Sequence, residues 1–230
     1  MKEEVANNIA QLYGQIAEAC EEFDRDADDI TIVAVTKRQP IHFIQMAVAA
    51  GLHNIGESRV QEADEKITAL GQIARFHMVG HLQSNKVKRA VQLFDVIQSV
   101  DSLSLAEEIN RQAGEAEFDI ECLIEVNTSC ESQKFGVAPD DSLELIKKVH
   151  SMSHITLAGL MTIAPYTDDE EAVRKAFTIC RELFKRGEDI VGDNFDTLSM
   201  GMTDDFRLAI AEGSTMVRIG TALFGARPEN

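Results

Sequence analysis

Val5, Ile9, Leu12, Ile16 and Cys20 recur every three or four residues through EEVANNIAQLYGQIAEACEEF, the spacing of one apolar face on an amphipathic helix. Past this segment, short apolar runs alternate with longer amphipathic ones. The short runs predict strands at TIVAVTK (31–37), NIGES (54–58), RFHMVG (75–80), VIQSV (96–100), CLIEVN (122–127), TLAGLMTIA (156–164), DTLSMG (196–201) and MVRIGTALFG (216–225). The longer runs, among them HFIQMAVAAG, SLAEEINRQAGEA, DSLELIKKVHSM and DEEAVRKAFTICRELFKRG, predict helices between the strands.

Eight strand signals, each followed by a helix signal until the chain ends, suit parallel βαβ units. Eight such units in about 200 residues fit a closed (β/α)8 TIM barrel, here preceded by an extra N-terminal helix. An open doubly wound sheet is the alternative. It would leave edge strands to be covered, and no glycine fingerprint marks the first β–α turn. No linker, low-complexity tract or repeated motif interrupts the series, so a single barrel domain over 1–230 is expected.

Composition narrows the function classes. Hydrophobic residues make up 44% of the 230 and charged residues 27%, enough for a core and unlike a disordered chain. A net charge of −17 argues against a nucleic-acid or anionic-membrane partner, yet leaves room for a small anion in a locally basic pocket. No run approaches the roughly 18 apolar residues of a membrane span, and MKEEVANNIA is unlike a signal peptide. Cys20, Cys122, Cys130 and Cys180 lack zinc-ligand spacing and are expected to be reduced thiols in a cytoplasmic protein.

Against this background a few polar residues stand out. Lys37 closes the first apolar run, in phase with Val33 and Val35. A lysine ending a surface strand is ordinary; in a barrel, the same position lies at the carboxyl end of strand 1, where functional groups gather. A partly desolvated amine there has its pKa lowered, which favours imine formation with an aldehyde. At the other end of the chain, LSMGMT and MVRIGTALFG offer the Ser199 and Thr221 hydroxyls, with Gly201 and Gly220 letting backbone amides approach an oxyanion. Each glycine alone reads as a tight turn; the two segments together read as the phosphate site that barrels often form after strands 7 and 8. Thr203 is expected to cap the next helix, with Asp204 and Asp205 in its first turn. Arg218 interrupts an apolar strand on the same face as Gly220, which requires an acceptor: a salt-bridge partner, or a ring nitrogen of a bound cofactor. His77 and His81 are four apart but cross a strand end, and no third ligand is near, so no metal is expected. His77 and Asn85 are expected to organise the loop after strand 3, and Lys134 is either solvated or reaches over the mouth.

An imine-forming lysine, a phosphate cradle and an arginine for a ring nitrogen describe pyridoxal 5'-phosphate. The chain resembles the pyridoxal-phosphate homeostasis proteins, the YggS/PROSC family, whose barrel is similar to the N-terminal domain of alanine racemase. The motifs are AVTK, GESRVQE, FHMVGHLQSNK, EVNTSCESQKFG, GLMTI, LSMGMTDDF and GSTMVRIGTALFGAR, in order over nearly the whole chain. The resemblance implies that Lys37 carries the cofactor as a Schiff base, that Ser199, Gly220 and Thr221 hold its phosphate, and that Arg218 faces the pyridine nitrogen. Ser58 departs from the family's usual asparagine in Gly-Glu-Asn, which puts one polar contact near the ring in doubt.

Two function classes follow: a racemase or other Schiff-base enzyme, or a protein that binds the cofactor and delivers it to apo-enzymes. A two-base racemase needs a second acid/base group, which related enzymes draw from a separate β domain. The chain stops at Asn230, soon after the last strand, and its tyrosines are Tyr13 and Tyr166. The expectation is therefore a cofactor carrier without efficient catalysis, monomeric or weakly dimeric.

Overall fold

The computed structural model describes residues 2–129, 131 and 133–225. Helix α1 (Lys2–Glu22) is followed by strand β1 (Thr31–Val35) and helix α2 (Ile41–Ala49). Then come β2 (Asn54–Glu57), α3 (Val60–Leu70), β3 (Arg75–Met78), α4 (Val87–Leu93), β4 (Val96–Val100) and α5 (Leu103–Glu115). The second half runs β5 (Ile120–Glu125), α6 (Pro139–His150), β6 (Ile155–Met161), α7 (Glu170–Val191), β7 (Thr197–Ser199), α8 (Phe206–Ala211), β8 (Met216–Ile219) and α9 (Thr221–Phe224). The eight strands are parallel, each beside its sequence neighbours, and β1 pairs with β8 through Thr31↔Met216 and Val33↔Arg218. The fold is the (β/α)8 barrel with an N-terminal helix. Every backbone edge is thereby paired, which an open sheet could not achieve.

Strand alternation sorts side chains between two cores. Ile32, Ala34, Ile55, Phe76, Ile97 and Val217 point outward into one continuous cluster under the helices. The inward apolar cluster is small: Leu123, Ala158 and Met161. His77, Gln98, Ser199 and Arg218 are buried in the same interior, where barrels are ordinarily filled by branched apolar residues. Helix α1 buries Val5, Ile9, Leu12, Ile16 and Cys20, as its periodicity predicts, and packs against α2, α8 and α9 across the junction of the chain's two ends. Long α7 begins at Asp169, whose carboxylate accepts the N–H groups of Glu171 at 3.0 Å and Ala172 at 3.3 Å.

Several predicted boundaries are corrected. The run 31–37 is strand only to Val35, so Thr36 and Lys37 belong to the turn above it. The run 216–225 is strand only to Ile219; Gly220 breaks the direction and the apolar Thr221–Phe224 turns into α9. A four-residue apolar run carries no period that separates strand from helix. Thr203 does not cap α8. Asp205 holds the N-cap position and accepts the Met202 N–H, while the Thr203 hydroxyl accepts the Ala222 N–H at 3.4 Å. Cys20, Cys122 and Cys180 are buried free thiols, with burial pushing Cys180 up to about 12; Cys130 lies outside the described residues.

Candidate functional site at the barrel mouth

Arg218 sits on β8 with Val217 and Ile219 facing out, so its side chain enters the barrel, where only 4% of it is exposed. One terminal nitrogen donates to the Ser199 carbonyl at 2.8 Å and the Ser199 hydroxyl at 2.7 Å; the other donates to the Thr162 carbonyl at 2.8 Å. A guanidinium has five N–H groups. Nε and one further N–H find no acceptor among the described residues. Neither direct ion pair nor metal cluster meets it there. Burial draws its pKa down, opposed by the charges of Glu125 and Asp205. Glu125, at the carboxyl end of β5, is itself pushed up to about 7 by burial, against the pull of Arg218.

Beneath Arg218 a hydrogen-bond chain crosses the barrel. The Ser199 hydroxyl donates to Gln98 Oε1 at 2.7 Å, and Gln98 Nε2 lies 2.9 Å from His77 Nδ1. His77 Nε2 lies 3.1 Å from Asn54 Oδ1. Burial lowers the His77 pKa to about 3, so the imidazole is neutral. The amide of Gln98 can only donate to Nδ1 and Asn54 Oδ1 can only accept, which fixes the proton on Nε2. Every link therefore donates in one direction, from Arg218 through Ser199, Gln98 and His77 to Asn54. The chain ends at a polar cavity of about 500 Å³, lined by Asn54, His77, Arg75 and Asp196, at the amino ends of the strands and opposite the mouth.

Lys37 is half-buried, two residues beyond β1. Val33 and Val35 face inward, since a Cβ on Gly56 would meet them at 3.0 and 3.3 Å. Gly220 lies against the same strand end: a Cβ there would sit 3.2 Å from the Val35 carbonyl oxygen. Gly201 has φ +98, its carbonyl accepts the Arg218 N–H at 3.0 Å, and a Cβ would collide with Ala209 at 2.6 Å. Thr221 is exposed at the start of α9. The structure thus gathers Gly201, Arg218, Gly220 and Thr221 on the tops of β7 and β8, beside the strand that leads to Lys37. Ser199 differs from its sequence reading: its hydroxyl is fully buried and spans Arg218 and Gln98, so in this structure it supports the arginine beneath the mouth.

His77 is likewise not a loop residue; it fills the barrel interior. His81 stacks on the exposed Phe135, with ring centroids 3.7 Å apart, and pairs with Asp101 at 3.2 Å. Lys134 donates to the Ala164 carbonyl at 3.2 Å and pairs with Glu131, joining the loops after β5 and β6. Tyr166 is fully exposed, and Tyr13 is 46% exposed on α1. Gln98 and Glu125 escape a sequence search for site residues, and His77 is read there as a loop residue. Gln98 could have been found as Arg218 was, as a polar side chain at the centre of an apolar strand.

The model of the family described as alanine racemase, N-terminal domain, matches residues 13–228, which sets the class of barrel. Alanine racemase from Clostridium difficile 630 superposes with a TM-score of 0.74 at 17% identity, over 99% of this chain and 58% of that one, a likeness of fold. The chain belongs to the pyridoxal phosphate homeostasis protein family. It is 40% identical to the protein of that name from Pasteurella multocida over 97% of both chains, and 37% identical to that from Escherichia coli K12, again over 97% of both. PipY of Synechococcus elongatus, solved with PLP bound, is 33% identical, with a TM-score of 0.83 over 96% of this chain and all of that one. A structure from Bifidobacterium adolescentis reaches a TM-score of 0.92 at 36% identity, over 97% of this chain and 95% of that one.

Proposed function

We propose that this protein binds pyridoxal 5'-phosphate at the barrel mouth through Lys37 and passes it to apo-enzymes in the cytoplasm, without efficient turnover of a substrate. The observation that carries the reading is Arg218: a buried guanidinium with two N–H groups lacking acceptors among the described residues, beside Gly220 and Thr221. Arg218 Nε makes no hydrogen bond among the described residues and is not fully enclosed, so an aromatic ring nitrogen entering the mouth would supply an acceptor for it. Gly201 and Gly220 let the backbone pack closely against α8 and the end of β1, and the Gly220 turn with the exposed Thr221 hydroxyl beside it suits a phosphate. Lys37 would hold the cofactor through its amine, and the cofactor's aldehyde would supply the carbonyl chemistry there, with water as the leaving group. Ser199 props Arg218, and the phosphate falls to Gly201, Gly220 and Thr221. The names of the 37–40% identical relatives support homeostasis over metabolism as the role.

The test is reconstitution. Apo-protein mixed with pyridoxal 5'-phosphate should develop a visible absorbance band, and borohydride should fix the cofactor to the peptide carrying Lys37. Lys37→Ala should abolish both. A native protein without the band, or a label on another peptide, would sink the assignment.

A further inference from the structure

Thr36 and Arg38, the two neighbours of Lys37, are both held by one buried ionic cluster on the outer side of the barrel wall. Alternation sends Thr36 outward, where its hydroxyl donates to Glu57 Oε1 at 2.6 Å. Its carbonyl accepts from Lys66 Nζ at 2.7 Å. Lys66 lies on α3 and is only 5% exposed, whereas the helix positions beside it, Glu65 and Gln61, face solvent. Its ammonium has three donors. They meet three acceptors at 2.7 Å each: the Thr36 carbonyl, Glu57 Oε1 and Glu62 Oε1. Glu62, one turn earlier on α3, accepts in addition the backbone N–H of Arg38. Arg38 takes φ +62, a left-handed conformation that a side chain larger than glycine adopts only when its surroundings hold it there.

We infer that Lys66 and Glu62 are positioning residues for Lys37: the ammonium and the carboxylate fix the peptides on either side of it, so that its amine is aimed into the mouth from a rigid support. The alternative, a buried ion pair that merely joins α3 to the barrel, leaves two features without a purpose. Such a pair needs no bond to a turn carbonyl, and it needs no anchor on the N–H of a strained residue. Lys66 is also excluded as a competing amine, because its three N–H groups are committed and it faces away from the barrel interior. The role rests on the reading of Lys37 as the cofactor-bearing amine.

The experiment uses the full chain stripped of cofactor, in native, Glu62→Ala, Glu62→Gln and Lys66→Met forms. Each is mixed with excess pyridoxal 5'-phosphate while the visible band is followed, and the melting temperature of each apo-form is measured in parallel. Glu62 is part-exposed, so Glu62→Ala should fold. In Lys66→Met, Glu57 can take a proton, since burial already raises its pKa, and no bare charge is left inside. Glu62→Ala and Lys66→Met should form the band at least about tenfold more slowly, the scale of a small misplacement of a reacting group. Glu62→Gln keeps an acceptor for Arg38 and should recover most of the rate. If Glu62→Ala is folded and forms the band at the native rate, the cluster is structural only and the inference fails. Should Lys66→Met not fold, the contrast between Glu62→Ala and Glu62→Gln decides. Absence of the band in the native protein would instead overturn the reading of Lys37.

Discussion

At the scale of single residues, Ser199 and Thr221 resemble each other in sequence and differ in structure. The Ser199 hydroxyl is enclosed between Arg218 and Gln98, while Thr221 stands exposed at the mouth. Their alanine variants should separate accordingly. A hydrogen bond to a charged group contributes ~1.5–3 kcal/mol, so Thr221→Ala should bind pyridoxal 5'-phosphate at least about tenfold more weakly. It should bind pyridoxal lacking the phosphate as the native protein does. Ser199→Ala should weaken both, because it loosens the arginine proposed to face the ring. Equilibrium dialysis with the two ligands measures the contrast, and a Thr221→Ala protein that loses both equally would place the phosphate elsewhere.

Glu125 gives a residue-level dependence on pH. Burial pushes its carboxyl up to about 7 from the ordinary 4.5. The folded protein therefore holds a proton that the unfolded chain has released between those values. Stability from this group is fully present below about 4.5 and is lost as pH rises through 7, by an amount on the order of 3 kcal/mol. Glu57, also raised by burial, contributes with the same sign. Urea denaturation of the apo-protein at intervals from pH 5 to 8 should show Glu125→Gln with a shallower decline than the native chain. An unchanged slope would mean that Glu125 ionises normally in the fold.

Among elements, strand order and α1 were legible because periods of two and of 3.6 survive in a single sequence. Arg218 was legible as a buried charge because a charge crossing an apolar run has few bland explanations, whereas Lys37, ordinary at a strand end, stood out only once the barrel put that end at the mouth. Lys66 was not: in VQEADEKITAL a lysine looks like any solvated residue of an amphipathic helix, and only the packed structure turns it inward. The register of β6 was also hidden. Gly159 has φ +157, and a Cβ there would lie 1.8 Å from the Thr197 carbonyl oxygen, at the point where the β5–β6 register shifts. Gly159→Ala should therefore destabilise by at least about 3 kcal/mol, the range of severe core lesions. Gly14 is the control: it lies on the exposed side of α1 with nothing within 4 Å of an added Cβ, and Gly14→Ala should stabilise by ~1 kcal/mol. Thermal melts of both variants against the native chain test the pair. A Gly159→Ala protein as stable as the native one would show that β6 and β7 can separate without cost.

At the scale of the whole molecule, the question is whether a barrel shared with racemases also turns over amino acids. A guanidinium can only donate, so if Arg218 meets the ring nitrogen as proposed, it would leave that nitrogen unprotonated and the ring a weaker electron sink. A weaker electron sink does not by itself exclude turnover, so the decision falls to a second acid/base group. Tyr166 is fully exposed, and Tyr13 is half-exposed on α1, which lies outside the barrel wall, whereas Arg218 occupies the interior face. A positioned general acid or base contributes ~10²–10⁴-fold, and a site that neither tyrosine serves should be slower than a two-base racemase by that factor. Holo-protein incubated with L-alanine and other amino acids, followed for chirality, decarboxylation and transamination, should stay well below about 1 s⁻¹, the lower edge of ordinary enzyme turnover. In parallel, holo-protein offered to an apo-enzyme that requires the same cofactor should restore its activity. Lys37→Ala carried through the same loading step should not, which separates delivery by the barrel from free cofactor in the mixture. Turnover above about 1 s⁻¹ on any amino acid would make the protein an enzyme. Slow turnover together with activation of the apo-enzyme assigns the lysine at the top of β1 to holding an aldehyde until another protein takes it.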